Sequence, residues 1–156
     1  MGSTKRLIVA IFLCLIPWAV AIEAQTTKKT RGGATARQPG GVSIQKLRSA
    51  VRANPQNAAA RNALGLALGK SGQLTPAVAE FRAALALKPD YLEAWTNLGA
   101  ALERRGDLEG ALEAFSKAAE LNPNDADLHI LIGSLLRRQQ RLDDAIAEYR
   151  QAAKLK

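Results

Sequence analysis

The sequence predicts an all-α fold, a short solenoid of antiparallel helix pairs. Its strongest feature is a 34-residue repeat of prolines and glycines, at Pro55, Pro89 and Pro123 and at Gly65, Gly99 and Gly133. Within each repeat, apolar residues recur every three or four positions, which is the period of an amphipathic helix. The 156-residue chain is 47% hydrophobic but only 4% aromatic, a composition typical of a helical core rich in Ala and Leu.

The first 24 residues have the layout of an export signal. Lys5 and Arg6 precede a 16-residue apolar run, residues 7–22, and small residues accompany its end. Residues 1–24 are therefore predicted to be a signal peptide, which places the mature chain in the periplasm or outside the cell. The alternative is an uncleaved membrane anchor, because the run approaches the ~17 residues of a spanning helix and more basic residues follow it than precede it.

The next segment, residues 25–41, is predicted to be a flexible basic linker. It contains no large apolar side chain, so burial cannot offset the entropy of ordering it. Basic charge continues into the following helix, and residues 25–57 contain no acid. The seven basic residues of this region, here called the basic arm, are Lys28, Lys29, Arg31, Arg37, Lys46, Arg48 and Arg52.

Residues 42–54 are predicted to form a single helix that caps the N-terminal end of the solenoid. Leu47 and Pro55 lie one repeat length before Phe81 and Pro89, so this segment corresponds to the second helix of a repeat. The residues before it are too polar to form its partner helix. It is therefore expected to cover the first complete pair.

Three helix pairs are predicted, over residues 58–91, 92–125 and 126–156. In the middle pair, Gly106 ends the first helix and Pro123 follows the second, since proline disfavours helix in the residue before it. Asp or Asn beside these prolines is suited to cap the next helix. Each pair leaves one apolar side uncovered, and stacking the next pair covers it.

The repeated glycine lies in the middle of a helix, where it costs about 1 kcal/mol relative to Ala. A packing benefit must offset this cost, and close approach of the partner helix would supply it. The aromatic residues expected to pack there are Phe81, Phe115 and Tyr149, between small residues at Ala77, Ala84, Ala111, Ala118, Ala145 and Ala152.

These residues resemble tetratricopeptide repeats. The family pattern has a Trp, a Leu-Gly pair and an aromatic residue in the first helix, then Ala, Phe and Ala in the second helix, and a Pro. The middle unit matches it at Trp95, Leu98, Gly99, Ala111, Phe115, Ala118 and Pro123, with Leu102 in place of the aromatic residue. The other two units replace the Trp by Arg61 and His129. The resemblance implies a right-handed α-solenoid.

Two departures from the repeat are informative. Gln140 stands where Gly72 and Gly106 end the earlier first helices, so that turn is expected to be either more strained or differently wound. The last helix is followed by no polar capping helix, which solenoids usually need for solubility. Self-association through that helix, or docking of another chain on it, is therefore expected.

The sequence predicts no catalytic, cofactor-binding or metal-binding site. Cys14 lies inside the N-terminal apolar run, and His129, the only His, replaces a packing Trp. Asp125 and Asp127 have the opening spacing of a calcium loop, but Ile130 and Leu136 occupy the positions that need Gly and Glu. Helix capping is the better interpretation of these acids.

Binding is the remaining role, and the resemblance implies its place. In tetratricopeptide arrays the first helices line a concave groove that takes peptides or protein segments. The groove candidates are Asn62, Leu66, Lys70, Thr96, Asn97, Ala100, Arg104, Asp127, Ile130, Leu131, Ser134, Arg137 and Arg138. Leu66, Ile130 and Leu131 are expected to form an apolar patch if they are exposed.

The leading prediction is an exported, non-enzymatic scaffold that binds a protein segment in this groove. An accessory or regulatory subunit of an enzyme would have the same sequence features. The alternative is a protein that binds anionic envelope polymers or lipids, or nucleic acid if the chain is cytoplasmic, through the basic arm. Nucleic acid is not the expected partner of an exported chain.

Overall fold

The computed structural model describes residues 43–156. The predicted signal peptide, the linker of residues 25–41 and the first four residues of the basic arm lie outside the described residues. The part described forms seven helices: α1 Ile44–Ala53, α2 Ala58–Lys70, α3 Leu74–Leu87, α4 Leu92–Arg105, α5 Leu108–Leu121, α6 Ala126–Arg138 and α7 Leu142–Lys154. Within this part, no helix combines the length and the apolar character that crossing a membrane requires.

Proline ends α1, α3 and α5, as the sequence predicts. The residue before each proline, Asn54, Lys88 or Asn122, has φ between −138° and −140°, an extended conformation that stops the helix. The capping prediction holds at two of the three following helices. Asn57 accepts from the amide of Ala60 at 2.9 Å, and Asp125 accepts from the amide of Asp127 at 3.0 Å.

The helix α4 begins differently, because Tyr91 occupies its N-cap and makes no side-chain capping bond. Asp90 therefore does not cap α4. Within the same repeat, Asp107 caps α5 and accepts from the amide of Gly110 at 3.0 Å. This hydrogen bond, together with one from Arg105, lowers the pKa of Asp107.

The helices pack in adjacent pairs, α2 with α3, α4 with α5 and α6 with α7, and each pair packs on the next through α3–α4 and α5–α6. The predicted all-α solenoid is confirmed. The single helix α1 packs on α2 through Val51, which is 8% exposed, and through the half-buried Ile44 and Leu47. Its other residues are mostly polar and exposed, so α1 caps this end of the solenoid.

Aromatic rings lie directly against the repeated mid-helix glycines. A Cβ atom added at Gly99 would lie 2.8 Å from Cδ1 of Phe115, and Phe115 is only 1% exposed. A Cβ atom added at Gly65 would lie 2.7 Å from Cε1 of Phe81, and one added at Gly133 would lie 2.8 Å from Cε1 of Tyr149. The predicted close approach of partner helices is confirmed, and only glycine provides the space for it.

The turn between α6 and α7 contains a strained residue. Gln140 has φ of +63°, in the left-handed region that Gly72 and Gly106 occupy at +82° and +88°. A side chain in this region brings Cβ close to the following carbonyl oxygen, at a cost of about 1–2 kcal/mol. The repeat thus imposes the same turn on all three pairs, even where the third pair has no glycine.

We expect Gly99→Ala to lower the free energy of unfolding by about 1–3 kcal/mol, because the new methyl group overlaps the buried ring of Phe115 and forces the packing to shift. Gly69→Ala is the matched control. A Cβ atom at Gly69 would lie 3.8 Å from Cβ of Ala77, an ordinary contact. Helix propensity then makes Gly69→Ala neutral or stabilising, by up to about 1 kcal/mol. Urea unfolding measures the free energy of unfolding of both variants. Equal stability of the two variants would contradict this account of the packing.

We expect Gln140→Gly to raise the free energy of unfolding by about 0.5–1 kcal/mol, since relief of the left-handed strain exceeds the entropy that glycine loses on folding. The converse control is Gly106→Ala. No atom lies within 4 Å of a Cβ added there, so this variant reports on backbone strain alone and should be destabilising. Thermal unfolding of the two variants should shift the midpoint in opposite directions.

Candidate partner-binding groove

The thirteen groove candidates lie on α2, α4 and α6, the first helices of the three pairs, and none of them is buried. The constant repeat length brings one helical face of each to the same side of the solenoid. The exposed candidates are Leu66, Lys70, Ala100, Arg104, Asp127, Ile130, Arg137 and Arg138, and the half-buried ones are Asn62, Thr96, Asn97, Leu131 and Ser134.

Charge is ordered across this surface. Acids lie in the first turns of α4 and α6, at Glu93 and Asp127, whereas bases lie in the last turns of α2, α4 and α6. Each sign complements the helix dipole at its own end. Because these helices occupy equivalent places in successive repeats, one edge of the groove is acidic, the middle is uncharged, and the other edge is basic.

A hollow of about 290 Å³ lies between α4 and α6 at the acidic edge. It brings together four of the groove candidates, Thr96, Asn97, Asp127 and Leu131. The remaining lining residues are Leu92, Glu93, Asp125 and Leu128. Sequence reasoning missed Glu93, although its position one repeat length before Asp127 was a signal that could have found it.

A second hollow, of about 360 Å³, lies away from the groove. Residues of α3, α4 and α5 line it, and none of the thirteen candidates is among them. Its walls include the indole of Trp95 and the buried side chains of Leu85, Leu98 and Leu102. We associate this hollow with the packing of successive pairs, because its lining side chains belong mainly to the core.

Polar side chains tie the first helices together across the repeat boundaries. Asn97 donates to Oδ1 of Asn62 at 3.1 Å, and Arg104 donates to the carbonyl oxygen of Gly69 at 2.9 Å. Arg138 forms an ion pair with Glu103. Each link joins one repeat to the next, so several groove candidates also hold neighbouring repeats in register.

The expected apolar patch is not continuous. Leu66 is 39% exposed on α2 and Ile130 is 37% exposed on α6, in the first and third pairs. Leu131 is half-buried and packs against the core. The repeat explains the separation, because the positions equivalent to Leu66 are Ala100 and Ser134, and neither has a large apolar side chain. The groove therefore offers two separate apolar side chains.

The family's Trp position has a shared role that sequence reasoning missed. Arg61, Trp95 and His129 place a side-chain nitrogen against the carbonyl oxygen of the proline in the turn before their helix. The distances are 2.9 Å from Arg61 Nε to Pro55, 2.8 Å from Trp95 Nε1 to Pro89, and 3.2 Å from His129 Nε2 to Pro123. Three different side chains therefore link each first helix to the turn before it.

The residue type at one position of the second helix changes together with the residue type at the Trp position of the first helix. Arg61 pairs with Glu80 at 3.2 Å, and His129 contacts Glu148 at 2.7 Å. In the middle repeat the equivalent residue is Ala114, and Trp95 and Ala114 line the same hollow. A cationic side chain is thus matched with a carboxylate, and the large indole is matched with a methyl group.

A model of the tetratricopeptide repeat matches residues 42–91, 62–126 and 109–156. The three matches overlap and include all seven helices. This chain belongs to the tetratricopeptide repeat family. Members of this family act as scaffolds for protein interactions, and the match supports that class of function. No curated protein matches the sequence significantly.

Solved structures of MamA resemble this tetratricopeptide array. One crystal structure of MamA is 24% identical, with a TM-score of 0.70, over 72% of this chain and 66% of that chain. Another has the same identity and TM-score over 72% and 61% of the two chains. MamA from Desulfovibrio magneticus RS-1, residue 41 to the end, is 24% identical, with a TM-score of 0.67 over 72% and 63%.

The chain therefore spans between 61% and 66% of the length of these three MamA structures. At such low identity the similarity establishes the fold alone. Within the part of this chain that the structure describes, no group of three or more His, Cys, Asp and Glu residues could hold a metal ion.

The tetratricopeptide array raises the pKa of His129. Its hydrogen bond to Glu148 is the largest cause, and it outweighs partial burial, which lowers the pKa. The carbonyl of Pro123 and the charges of Glu148 and Asp125 also favour the cation. Only the imidazolium can donate from both ring nitrogens at once. The geometry therefore fits protonated His129.

We expect the stability of the array to fall as the pH rises from about 6.5 through the raised folded-state pKa of His129. The folded-state pKa of His129 lies above the unfolded value of about 6.5, so its contribution is complete below that value. That contribution is lost as the pH rises through the raised folded pKa. Urea unfolding at about pH 6 and pH 9 measures the loss, and His129 is the only His in the chain.

The matched control is the double variant His129→Trp with Glu148→Ala, which copies the pairing of Trp95 with Ala114. It should fold and show a smaller difference in stability between the two pH values. An unchanged pH dependence in the double variant would rule out His129 as its source.

Proposed function

We propose that the chain binds a segment of a partner protein along the groove formed by α2, α4 and α6, without catalysis and without a cofactor. One observation carries this proposal. The three helices present a row of accessible side chains that combines exposed apolar residues with the hollow between α4 and α6. Apolar anchors surrounded by a few polar groups are what binding of a peptide segment requires.

The order of charge across the groove supports one kind of partner. A segment lying along the solenoid would contact the acidic edge, with Glu93 and Asp127, on one side. Its other side would contact the basic edge, with Lys70, Arg104 and Arg137. The complementary segment has apolar side chains in its middle, basic residues on one flank and acidic residues on the other.

Some groove residues are more available to a partner than others. Asn97, Arg104 and Arg138 already bond to neighbouring repeats. Leu66 and Ile130 expose more than a third of their surface, and their exposure serves no packing within the array. We therefore assign the anchoring role to Leu66 and Ile130, and the orienting role to the charged edges.

The proposal includes export. The basic start and the 16-residue apolar run of residues 7–22 support removal of a signal peptide, which would place the scaffold in the periplasm or outside the cell. The intact mass of the protein from its native cells tests this. A chain beginning near residue 22 or 25 supports export, whereas a full-length chain favours the anchored alternative.

A second candidate function, binding of an anionic surface, is favoured by α1. Its three basic residues, Lys46, Arg48 and Arg52, are all exposed, and α1 contains no acid. With the bases of residues 25–41 they would attract phosphate-rich polymers or lipid headgroups. Binding to anionic vesicles that falls steeply with salt, and that is lost on deletion of residues 25–41, would support this function.

We expect Ile130→Asp to reduce capture of the groove partner about tenfold or more, because a carboxylate replaces an apolar anchor. Leu121→Asp is the matched control, since Leu121 is 43% exposed but ends α5, outside the groove. Partner proteins captured from an envelope extract should be depleted by Ile130→Asp and kept by Leu121→Asp. Equal retention by both variants would refute groove binding, and loss only on deletion of residues 25–41 would favour the basic arm.

A further inference from the structure

The hollow of about 360 Å³ beside Trp95 has an apolar floor and a charged rim. Leu98 is 4% exposed and Leu102 is 1% exposed, so these side chains form the floor. Arg82 and Glu113 are exposed and lie at the rim. A hollow of about 300 Å³ or more that combines apolar walls with a few polar groups is typical of a binding site.

Small side chains keep this hollow open. Three of its lining residues are Ala86, Gly110 and Ala114. The neighbouring repeats carry larger side chains at every equivalent position, so only the middle repeat has small residues at all three. The larger residues are Arg52, Pro76 and Glu80 one repeat before, and Glu120, Asp144 and Glu148 one repeat after.

The first and third repeats place a cation and a carboxylate of their own at the equivalent positions. Arg61 forms an ion pair with Glu80, and His129 contacts Glu148. In the middle repeat Trp95 occupies the position of the cation, and the position of the carboxylate is an alanine. The middle repeat therefore lacks the internal cation that its two neighbours have.

The middle repeat has its carboxylate at the rim instead. Glu113 lines the hollow and is exposed, and it forms no ion pair within residues 43–156. The equivalent residues of the other two repeats are Ala79 and Ala147, which carry no charge. A carboxylate beside an apolar hollow selects an occupant with a long apolar stem and a cationic end.

Arg82, on the α3 side of the rim, has a different acid nearby. The pKa of Asp107 is lowered by hydrogen bonds from the amide of Gly110 and the side chain of Arg105, and also by the positive charge of Arg82. The charge of Arg82 is therefore offset in part by Asp107. Glu113 stays available to a cation from outside the chain.

We propose that this hollow binds one arginine side chain of a partner protein. The aliphatic stem of the arginine packs on Leu98 and Trp95, and its guanidinium donates to the carboxylate of Glu113. Arginine suits the site because its planar group stacks on aromatic rings, is weakly hydrated and can donate two parallel hydrogen bonds to a carboxylate. The occupant supplies the cation that the neighbouring repeats hold internally. The site is separate from the groove and does not depend on the function proposed for it.

The test is binding of N-acetyl-arginine amide to the full chain, measured by saturation-transfer NMR on the probe. One side chain in an open site is expected to bind with a Kd of about 1 mM. N-acetyl-citrulline amide has nearly the same shape without the charge, and it should bind about tenfold more weakly or worse. Equal binding of the two probes, or no binding of either at about 10 mM, would overturn the proposal.

Variants at the rim locate the bound probe. Glu113→Gln should weaken binding of the arginine probe about tenfold or more and leave binding of the citrulline probe unchanged. Glu109→Gln is the matched control, because Glu109 is an exposed acid of the same helix that does not line the hollow. Unchanged binding of the arginine probe by Glu113→Gln would overturn the proposal.

A further variant closes the hollow. Ala86→Arg copies Arg52 of the preceding repeat and brings an arginine of the chain itself to the rim. It should abolish binding of the probe, and circular dichroism checks that the variant is folded. Ile130→Asp, in the groove, should leave probe binding unchanged, so the two sites are tested separately. Undiminished binding by Ala86→Arg would overturn the proposal.

Discussion

The contact between an aromatic ring and the Cα atom of a glycine governs how the helices of each pair pack. In each repeat a ring from the second helix lies where the first helix has glycine, and a Cβ atom there would lie 2.7–2.8 Å from a ring carbon. This contact sets the separation of the two helices in each pair. The helix pairs then stack at a constant interval, and that stacking aligns α2, α4 and α6 into one surface.

A second interaction shows how the array tolerates variation in its own pattern. The carbonyl of each inter-repeat proline is met by a side-chain nitrogen, from Arg61, Trp95 or His129. The matching position in the second helix adapts to the donor, with Glu80, Ala114 or Glu148. At this position the three repeats share the contact with the proline carbonyl, but they do not share one residue type. In the third repeat this side chain is His129, whose pKa is raised by its hydrogen bond to Glu148.

The groove residues have two roles on the same short helices. Within the groove, Asn97, Arg104 and Arg138 join neighbouring repeats, so the surface offered to a partner is held rigid by its own polar side chains. Rigid positioning lowers the entropy lost on binding. Leu66 and Ile130 remain exposed beside these links, and they are the side chains to which the proposed function assigns the anchoring role.

Local backbone preference and the repeat period predicted the helix pairs, the proline stops, the close contact at glycine and a strained or differently wound turn at Gln140. The packing of the helices decided which polar groups meet, such as Asn97 with Asn62 and His129 with Glu148, and it placed Glu93 in the hollow. It also decided that Leu66 and Ile130 are apart. These contacts depend on the rotation and offset between packed helices. A period along the chain fixes which residues are equivalent, but the offset between helices decides which ones touch.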